Sequence, residues 1–232
     1  MGKNKPLEGI KILDFTTIVM GPASTRILSD CGAQVIKIES SSRSDTLRSA
    51  TPYKGEDPSP NRSGYFAMYN AGKLSLPINM RNPESVNFVK EHLIPWADIV
   101  VTAFTPRVLP MWGMTYDDLA AIKPELIMLS ACLMGNTGPY ADLRGTGQLA
   151  AALSGWYENT GWPDKDPVGP YSAYADFVSW NYFIVAVMAA LDYRNRTGKG
   201  QYIDQSMFEL SLIHISEPTR RTPISYAVFC LK

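Results

Sequence analysis

A single carboxylate, Asp176, stands at the head of a long apolar run in the segment from Gly169 to Gln201. A carboxylate is costly to place in apolar surroundings, so its presence here calls for a reason. Two compatible roles fit the residue type: the side chain can cap the first turn of a helix, or it can act as a nucleophile. With an unperturbed pKa of about 3.9, an aspartate is ionised at neutral pH, and a helix N-terminus helps to keep it so.

The element that must carry Asp176 is a helix predicted over the apolar stretch from Phe177 to Leu191. Two arginines near its end would interact favourably with the negative, C-terminal end of the helix dipole, and Gly198 would supply a C-terminal cap. The apolar stretch is shorter than the roughly 20 residues that a bilayer span needs, and it has polar residues near its start. We therefore predict a buried helix and no membrane partner.

Strand-like and helix-like segments alternate along the chain before Asp176. Strands are predicted at 10–15, 34–39, 74–79, 98–104 and 126–132. Helices are predicted from Pro22, after the cap Asn82, and after Thr115 with Asp118 in a capping box. Pro77 confines the third strand to an edge of the sheet. This alternation predicts an α/β fold with a Rossmann-like, doubly wound parallel sheet.

A doubly wound sheet usually binds its ligand at the carboxyl ends of its strands. The sequence after the first strand, TTIVMGPAST, has one glycine where a dinucleotide fingerprint needs three, and GxxxxGK[ST] occurs nowhere in the chain. Glu39 stands where a ribose-binding acid would follow the second strand. Without the glycines, the pattern disfavours an NAD site.

Six blocks, in order and at matching spacing, resemble the class III CoA-transferases, the superfamily of formyl-CoA transferase and carnitine CoA-transferase. They are KPLEGIKILDFT with GPASTRILSDCGAQVIKIE, NAGKLSL, ADIVVTAFTP, WGMTYDDLAAIKPELIMLSACLMGNTGPY, GTGQLAAALSG, and YADF with AVMAALDYRNRTGKGQYIDQSM. The resemblance covers the chain from Lys5 to about Glu209. It implies a Rossmann-like large domain, an interlocked homodimer of ring-shaped chains, and a catalytic aspartate that accepts the acyl group. Asp176 falls on that aspartate.

The implied reaction explains the carboxylate. Moving CoA from an acyl-CoA donor to a carboxylic acid requires an acyl acceptor that, once acylated, is as reactive as a thioester. An aspartyl mixed anhydride, followed by an enzyme-CoA thioester, meets this requirement without a general base. Water must be excluded because hydrolysis would waste the acyl group, and four aromatic residues suit that role: Tyr171, Tyr174, Phe177 and Trp180.

The resemblance also implies which residues bind coenzyme A, and it implies no metal. The candidates are Val19, Met20, Asn70, Lys73, Ala103, Phe104, Thr105, Arg107 and Gly135. Lys73 would contact a CoA phosphate, Asn70 the pantetheine or nucleotide, and the residues around Phe104 the adenine. A solvated surface lysine and a core phenylalanine are the alternative interpretations of Lys73 and Phe104.

The loop SACLMGNTGP follows a strand end and would place backbone N–H groups on the oxyanion that forms when the thioester is attacked. A plain β-turn at Gly138-Pro139 is the alternative. Nearby aromatic residues, Trp156, Tyr157 and Trp162, favour a bulky or aromatic acid as substrate, although core packing would explain them as well.

Several positions depart from the formyl-CoA transferase pattern. Basic residues that the pattern uses for the CoA phosphates appear here as Ser40, Met111 and Cys132. We expect Arg107, one helical turn before Met111, together with Arg43 and Arg48 to substitute for them. Arg107 also stands where relatives commonly have glycine, so the conformation of that turn is open.

The same superfamily includes α-methylacyl-CoA racemases, which are the alternative function. They need a histidine as second acid/base, in a GHD-like triplet that aligns with Gly145-Thr146-Gly147. Thr146 cannot exchange a proton with a carbon acid near neutral pH, and His92 is predicted on a helix surface. The residues therefore favour a transferase, with an inactive CoA-binding fragment as a further alternative.

The chain after Glu209 departs from the family pattern. The segment LSLIHISEPTRRTPISYAVFCLK resembles the conceptual translation of a sequencing adapter. We therefore expect residues 1–209 to form part of the CoA-transferase large domain, truncated at its C-terminus, and residues 210–232 to be a non-native tail. Relatives continue with a small domain and a glycine-rich loop, so the activity of this chain by itself is open.

Charge and cysteine content restrict the partners. The 232 residues carry 22 Lys and Arg against 22 Asp and Glu, so the chain lacks the basic field that holds nucleic acid or an anionic membrane. Acyl-CoA and carboxylic acid substrates must be bound locally. We see no signal peptide, and the three cysteines lack metal or disulfide spacing. These features predict a cytoplasmic protein.

Overall fold

The computed structural model describes residues 5–40, 42–56, 58–162, 164–170 and 172–213. Its centre is a six-stranded parallel sheet in the order β3-β2-β1-β4-β5-β6. The strands are β1 (Lys11–Asp14), β2 (Gln34–Glu39), β3 (Leu74–Pro77), β4 (Ile99–Thr102), β5 (Ile127–Cys132) and β6 (Gln201–Ser206). The order reverses between β1 and β4, and the carboxyl ends of strands at such a reversal are where doubly wound sheets usually bind a ligand. The predicted doubly wound α/β fold is confirmed.

Helices cover both faces of this sheet. They are α1 (Met20–Asp30), α2 (Gly64–Asn70), α3 (Pro83–Phe88), α4 (Ile94–Trp96), α5 (Val108–Met111), α6 (Tyr116–Ile122), α7 (Gly147–Leu153), α8 (Trp156–Asn159) and α9 (Tyr174–Thr197). A π-helical turn, Val89–Leu93, joins α3 to α4, and a 3-10 turn spans Thr46–Ser49. Residues 207–213 are also helical.

The central strands are buried on both faces, because successive strand residues point to opposite sides and helices cover both sides. On one face, Ile12, Ile99 and Ile127 pack against α1, α7 and α9. On the other face, Leu13 and Val100 pack against α3, α4, α5 and α6. This two-sided burial explains why the strands are continuous apolar runs in the sequence.

Local signals in the sequence placed the starts of α3 and α6 correctly. The Asn82 side chain caps α3, and Thr115 and Asp118 form the predicted capping box on α6. The third strand lies at the edge of the sheet, as predicted. Helix α1 begins at Met20, two residues before the expected start at Pro22. A proline fits there because the first-turn N–H groups of a helix have no partner within the helix.

Helix α9 is longer and less buried than predicted. It has 24 residues and ends at Gly198, which adopts the left-handed conformation with φ 73°. Phe183 faces the core, whereas Val185 is 65% exposed and Met188 42% exposed. The argument that this element is too short to cross a bilayer is wrong, since its length and composition suffice and 39% of its most apolar window is buried. One such helix is weak evidence for a membrane, and its packing on the sheet accounts for it.

The two faces of α9 can be tested by matched truncations. Phe183 is fully buried, so Phe183→Ala is expected to lower the free energy of unfolding by about 3–5 kcal/mol. Val185→Ala lies two residues away on the exposed face and is expected to change it by less than about 0.5 kcal/mol. Urea denaturation followed by circular dichroism measures both. Similar losses in the two variants would contradict the packing described.

Candidate functional site

Asp176 lies in the first turn of α9, which begins at Tyr174. The predicted role as N-cap of this helix is wrong, because Ala173 occupies the cap position. The Asp176 side chain is turned inward, and the residue is only 7% exposed. Its Oδ2 accepts a hydrogen bond from the Gly147 N–H at 2.8 Å. The carboxylate therefore caps a different helix, α7, whose own cap residue Thr146 makes no side-chain capping bond.

Backbone N–H groups from three helices face the carboxylate of Asp176. The N–H of Gly147, which begins α7, donates the hydrogen bond. The N–H groups of Met20, which begins α1, and of Asp176 itself lie close enough to lower the pKa of the carboxyl. Burial raises the pKa of Asp176 to about 6, and these three donors offset the effect only in part. The sequence predicted an ionised aspartate. At pH 7 the group is still largely ionised, but it is more basic than a solvated aspartate.

Gly147 is a site residue that the sequence analysis missed. A Cβ atom at this position would lie 2.2 Å from Oδ2 of Asp176 and 2.6 Å from its backbone nitrogen. A residue with a side chain would therefore displace the carboxylate, and only glycine lets the first amide of α7 reach it. The available signal was the GTG triplet, which was considered only for its lack of a histidine.

An aromatic wall covers the first turns of α1 and α9. The rings of Phe177 and Trp180 lie 5.0 Å apart, and Tyr69 of α2 lies 6.3 Å from Trp180. Burial, the neighbouring Tyr65 and the charge of Asp176 raise the pKa of Tyr69. Phe177 and Trp180, two of the predicted shielding residues, thus pack in one hydrophobic cluster with Tyr69, which was not predicted from the sequence.

The other predicted aromatic residues lie elsewhere. Tyr174 packs on Trp156 of α8 at 4.9 Å, and the indole N–H of Trp156 donates to a carbonyl of the helix at 207–213. Trp162 is 64% exposed. Tyr171 lies outside the described residues. Core packing therefore accounts for Trp156, whereas Trp162 is available to a ligand.

Lys73 and Asn70 form part of a buried network. The Lys73 side chain is 2% exposed, and its Nζ donates to Asp14 Oδ2 at 3.1 Å, to the Pro22 carbonyl at 2.9 Å and to Asn70 Oδ1 at 3.0 Å. These acceptors engage all three ammonium hydrogens. These contacts give Lys73 and Asn70 a structural role, and the surface-lysine alternative is wrong because the Lys73 side chain is buried. The predicted contacts of Lys73 and Asn70 with coenzyme A stay predictions.

The three arginines expected to bind phosphate differ in availability. Arg107 is exposed and pairs with Asp142, with Nη2 and Oδ2 2.6 Å apart. Arg48 is held by Glu39, with Nε and Oε1 2.6 Å apart, and is mostly buried. Arg43 is exposed. A phosphate in solvent can therefore reach Arg43 and Arg107, whereas Arg48 is committed to Glu39.

The remaining candidates lie at the carboxyl edge of the sheet. The half-buried segment 103–105 follows β4, and the ring of Phe104 packs edge-on against Trp112 at 5.3 Å. Gly135 follows β5 with φ 75°, and the N–H of the next residue, Asn136, donates to Asp204 at 2.9 Å. That amide is occupied by Asp204, so a predicted oxyanion donor from this loop would have to be another of its N–H groups. The CoA contacts of this edge stay predictions.

Val19 and Met20 are the predicted binding residues that the structure brings to Asp176. Both side chains are buried, with Val19 packed beside Tyr69 and Met20 in the core under α1. The amide of Met20 is the part that faces the carboxylate. A role in binding coenzyme A would therefore have to use the backbone.

A second acid/base for racemase chemistry is missing from the described part of the site. Thr146 is exposed and precedes α7. His92 is exposed, as predicted, and its ring lies 5.0 Å from that of Phe88. Neither residue supplies an imidazole at Asp176.

A sequence model of CoA-transferase family III matches residues 7–222. The chain belongs to this family. It is 40% identical over 201 residues to the succinyl-CoA:glutarate CoA-transferase of Mus musculus, covering 86% of this chain and 45% of that protein. It is 36% identical over 209 residues to the acetyl-CoA:oxalate CoA-transferase of Acetobacter aceti, covering 89% and 52%.

Structural comparison agrees with this assignment. The crystal structure of a CAIB/BAIF family protein from Brucella suis superimposes with a TM-score of 0.86 at 34% identity, covering 97% of this chain and 59% of that chain. The chain thus spans about half the length of the curated relatives it matches. The resemblance inferred from the six sequence blocks is confirmed.

The boundary predicted at Glu209 stays a prediction. The family match runs on to residue 222, and residues 207–213 form a helix in which Ser211 is buried. Residues 214–232, most of the predicted non-native tail, lie outside the described residues.

The buried charge of Asp176 predicts a stability effect with a definite sign. The pKa of Asp176 rises from 3.8 in the unfolded chain to about 6 in the folded protein, so folding favours the protonated carboxyl. The stability that this preference provides is fully present below about pH 4 and is lost as the pH rises through 6. Asp176→Asn keeps an oxygen for the Gly147 N–H and removes the charge. We expect it to raise the free energy of unfolding by about 2–3 kcal/mol at pH 7.

At pH 4 the same variant should differ from the wild type by less than about 1 kcal/mol. Asp192→Asn is the matched control, because Asp192 lies on the same helix with a side chain 67% exposed. It is expected to have little effect at either pH. Urea titrations at the two pH values measure all three proteins, and a gain that does not depend on pH would contradict the buried charge.

Proposed function

We propose that the whole protein is a CoA-transferase that moves CoA from an acyl-CoA donor to a carboxylic acid, with Asp176 as the acyl acceptor. The observation that carries this proposal is a buried carboxylate that three backbone amides face beside an aromatic wall. Family membership and the printed activities of the relatives, succinyl-CoA:glutarate and acetyl-CoA:oxalate transfer, support it.

The first half of the reaction loads the enzyme. A carboxylate oxygen of Asp176 attacks the thioester carbonyl, the carbon–sulfur bond breaks, and CoA leaves as a thiolate. The thiolate then attacks Cγ of the resulting anhydride, which releases the donor acid as a carboxylate and leaves an aspartyl-CoA thioester. No net proton is taken up or released, so these steps require no general base.

The second half repeats these steps in reverse order. The carboxylate of the acceptor acid attacks the aspartyl thioester and forms a new anhydride while CoA leaves. CoA then attacks the acyl carbonyl of the acceptor, which gives the product thioester and restores the Asp176 carboxylate. Each step replaces one thioester by one anhydride or one anhydride by one thioester, so the exchange needs no external source of energy.

The contacts of Asp176 suit both of its states. A pKa of about 6 leaves the carboxylate ionised at pH 7 and makes it a better nucleophile than a solvated aspartate. When Cγ is attacked, its oxygen becomes an oxyanion. The Gly147 N–H, 2.8 Å from Oδ2, is at the distance required of an oxyanion donor.

The identity of the acids and the assembly also belong to this proposal. The named relatives act on short acids, so succinyl-CoA with glutarate is a suitable first pair. The bulky or aromatic acid expected from the tryptophans stays a prediction. The interlocked homodimer and a cytoplasmic location stay proposals as well.

The proposal predicts a covalent adduct on one peptide. Incubation of the whole protein with succinyl-CoA, followed by hydroxylamine trapping, should give a mass increase on the peptide that contains Asp176. Asp176→Asn should lose the adduct and at least about 1000-fold of the CoA exchange rate, as expected for removal of a nucleophile. Asp192→Asn should retain both.

Three outcomes separate the alternatives. Exchange by Asp176→Asn at the wild-type rate would overturn the assignment of the acyl acceptor. Binding of CoA without any adduct across a panel of donors would favour the non-enzymatic alternative. Exchange of the α-proton of a branched acyl-CoA with solvent deuterium would favour a racemase.

A further inference from the structure

The turn between β1 and α1, residues 15–19, leads directly into the Asp176 site. It ends where Met20, whose amide faces the carboxylate, begins α1. Within it, Ile18 has φ 69°, the left-handed region that β-branched residues avoid. A strained residue of this kind persists only when its surroundings hold it in place.

This turn is wrapped tightly against the helix that it precedes. A Cβ atom on Gly21 would lie 2.4 Å from Cβ of Thr16. Thr16 and the first turn of α1 are therefore in direct contact. A displacement of the turn would carry the N-terminus of α1, and the Met20 amide, with it.

A buried ion pair holds the turn from one side. Lys37 of β2 is 2% exposed, and its Nζ donates to the Thr16 carbonyl at 2.7 Å and pairs with Asp45 Oδ2 at 3.2 Å. Asp45 is 1% exposed, and its two oxygens accept from the Ile18 N–H at 3.2 and 3.3 Å. One pair therefore holds the carbonyl and the amide that flank Thr17, immediately before the strained residue Ile18.

A second buried ion pair, between Asp14 of β1 and Lys73, holds the same turn from the other side. Asp14 Oδ1 accepts from the Thr16 N–H at 2.8 Å and from its hydroxyl at 2.6 Å. Burial would raise the pKa of Asp14, but the charges of Lys73 and Lys37 and the hydroxyls of Thr16 and Thr25 lower it to about 2. Asp14 is therefore ionised at any physiological pH, and this side of the turn is fixed.

We propose that Lys37 and Asp45 are positioning residues of the Asp176 site, which as a buried pair fix the β1–α1 turn and so keep the Met20 amide on the Asp176 carboxylate. The catalytic meaning of this device rests on the proposed function of Asp176. A buried ion pair adds little net stability, and fixing one geometry is its best-attested use. The geometry agrees, because both partners hold main-chain atoms of one turn.

The test measures the Asp176 carboxyl directly, without substrate. Its ¹³C resonance is titrated in the free protein and assigned by comparison with Asp176→Asn. The contacts from α1 and α7 are amides, and Tyr69 is the titratable group that faces it from α2. In Asp45→Asn we expect the pKa of Asp176 to rise above about 6 by half a pH unit or more, because a donor to the charged form is weakened.

Hydrogen exchange supplies a second measurement on the same variant. The amides of Ile18 and Met20 should exchange at least about tenfold faster in Asp45→Asn, since the turn that holds them is released. The matched control is Asp98→Asn. Asp98 pairs with Arg194 at 3.0 Å and lies just before β4, at the opposite edge of the sheet. Asp98→Asn removes a partly buried ion pair and should leave both readouts unchanged.

A double variant, Lys37→Met with Asp45→Asn, removes both charges and provides the same comparison if the single change prevents folding. The proposal is overturned if Asp176 titrates as in the wild type, or if Asp98→Asn shifts it equally. The titration uses no acyl-CoA, so it tests this inference separately from the transferase proposal. If the pKa of Asp176 shifts in Asp45→Asn but the wild type forms no adduct in the separate succinyl-CoA experiment, the transferase proposal fails and this inference stands.

Discussion

One carboxylate, that of Asp176, is buried where three helices begin, and its burial sets the chemistry of the site. Asp176 loses most of its water, and the backbone amides of α1, α7 and α9 replace that water only in part, so its pKa settles near 6. The sheet makes this convergence possible. In a parallel sheet each connecting helix starts at the carboxyl edge and returns to the opposite edge. Helix N-termini, with their free N–H groups and positive dipole ends, therefore gather at the carboxyl edge of the sheet, where the strand order reverses between β1 and β4.

Most of the scaffold could be predicted from the sequence because its signals are local. Apolar runs gave the strands, and Asn82 and Thr115 cap the helices that they precede. The site was predictable only in part, because its contacts join distant segments. Gly147 and Asp176 are 29 residues apart, and nothing near either residue shows that they meet. Lys73 is similar: a pattern cannot distinguish a surface lysine from a buried one when the deciding partner, Asp14, lies 59 residues away.

Function and stability oppose each other at this site. The buried charge of Asp176, the left-handed Ile18 and the two buried ion pairs are each unfavourable or neutral by themselves. The apolar layers on the two faces of the sheet must offset them, and the chain concentrates its strain where chemistry is proposed. This distribution is what an active site requires, since a carboxylate that were fully solvated would be neither basic enough nor dry enough to hold an acyl group.

Burial also favours the proposed intermediate over the free enzyme. Desolvation raises the energy of the Asp176 carboxylate because it acts on the charge, and a shift of about 2 pH units corresponds to roughly 3 kcal/mol. An acylated aspartate carries no charge and escapes this penalty, while the negative charge passes to the departing thiolate. The same apolar surroundings that exclude water would therefore lower the barrier to the proposed acylation by raising the energy of the ionised free enzyme. The amides must be few enough to leave this penalty in place, yet close enough to bind the oxyanion, and a single well-placed donor such as the Gly147 N–H satisfies both conditions.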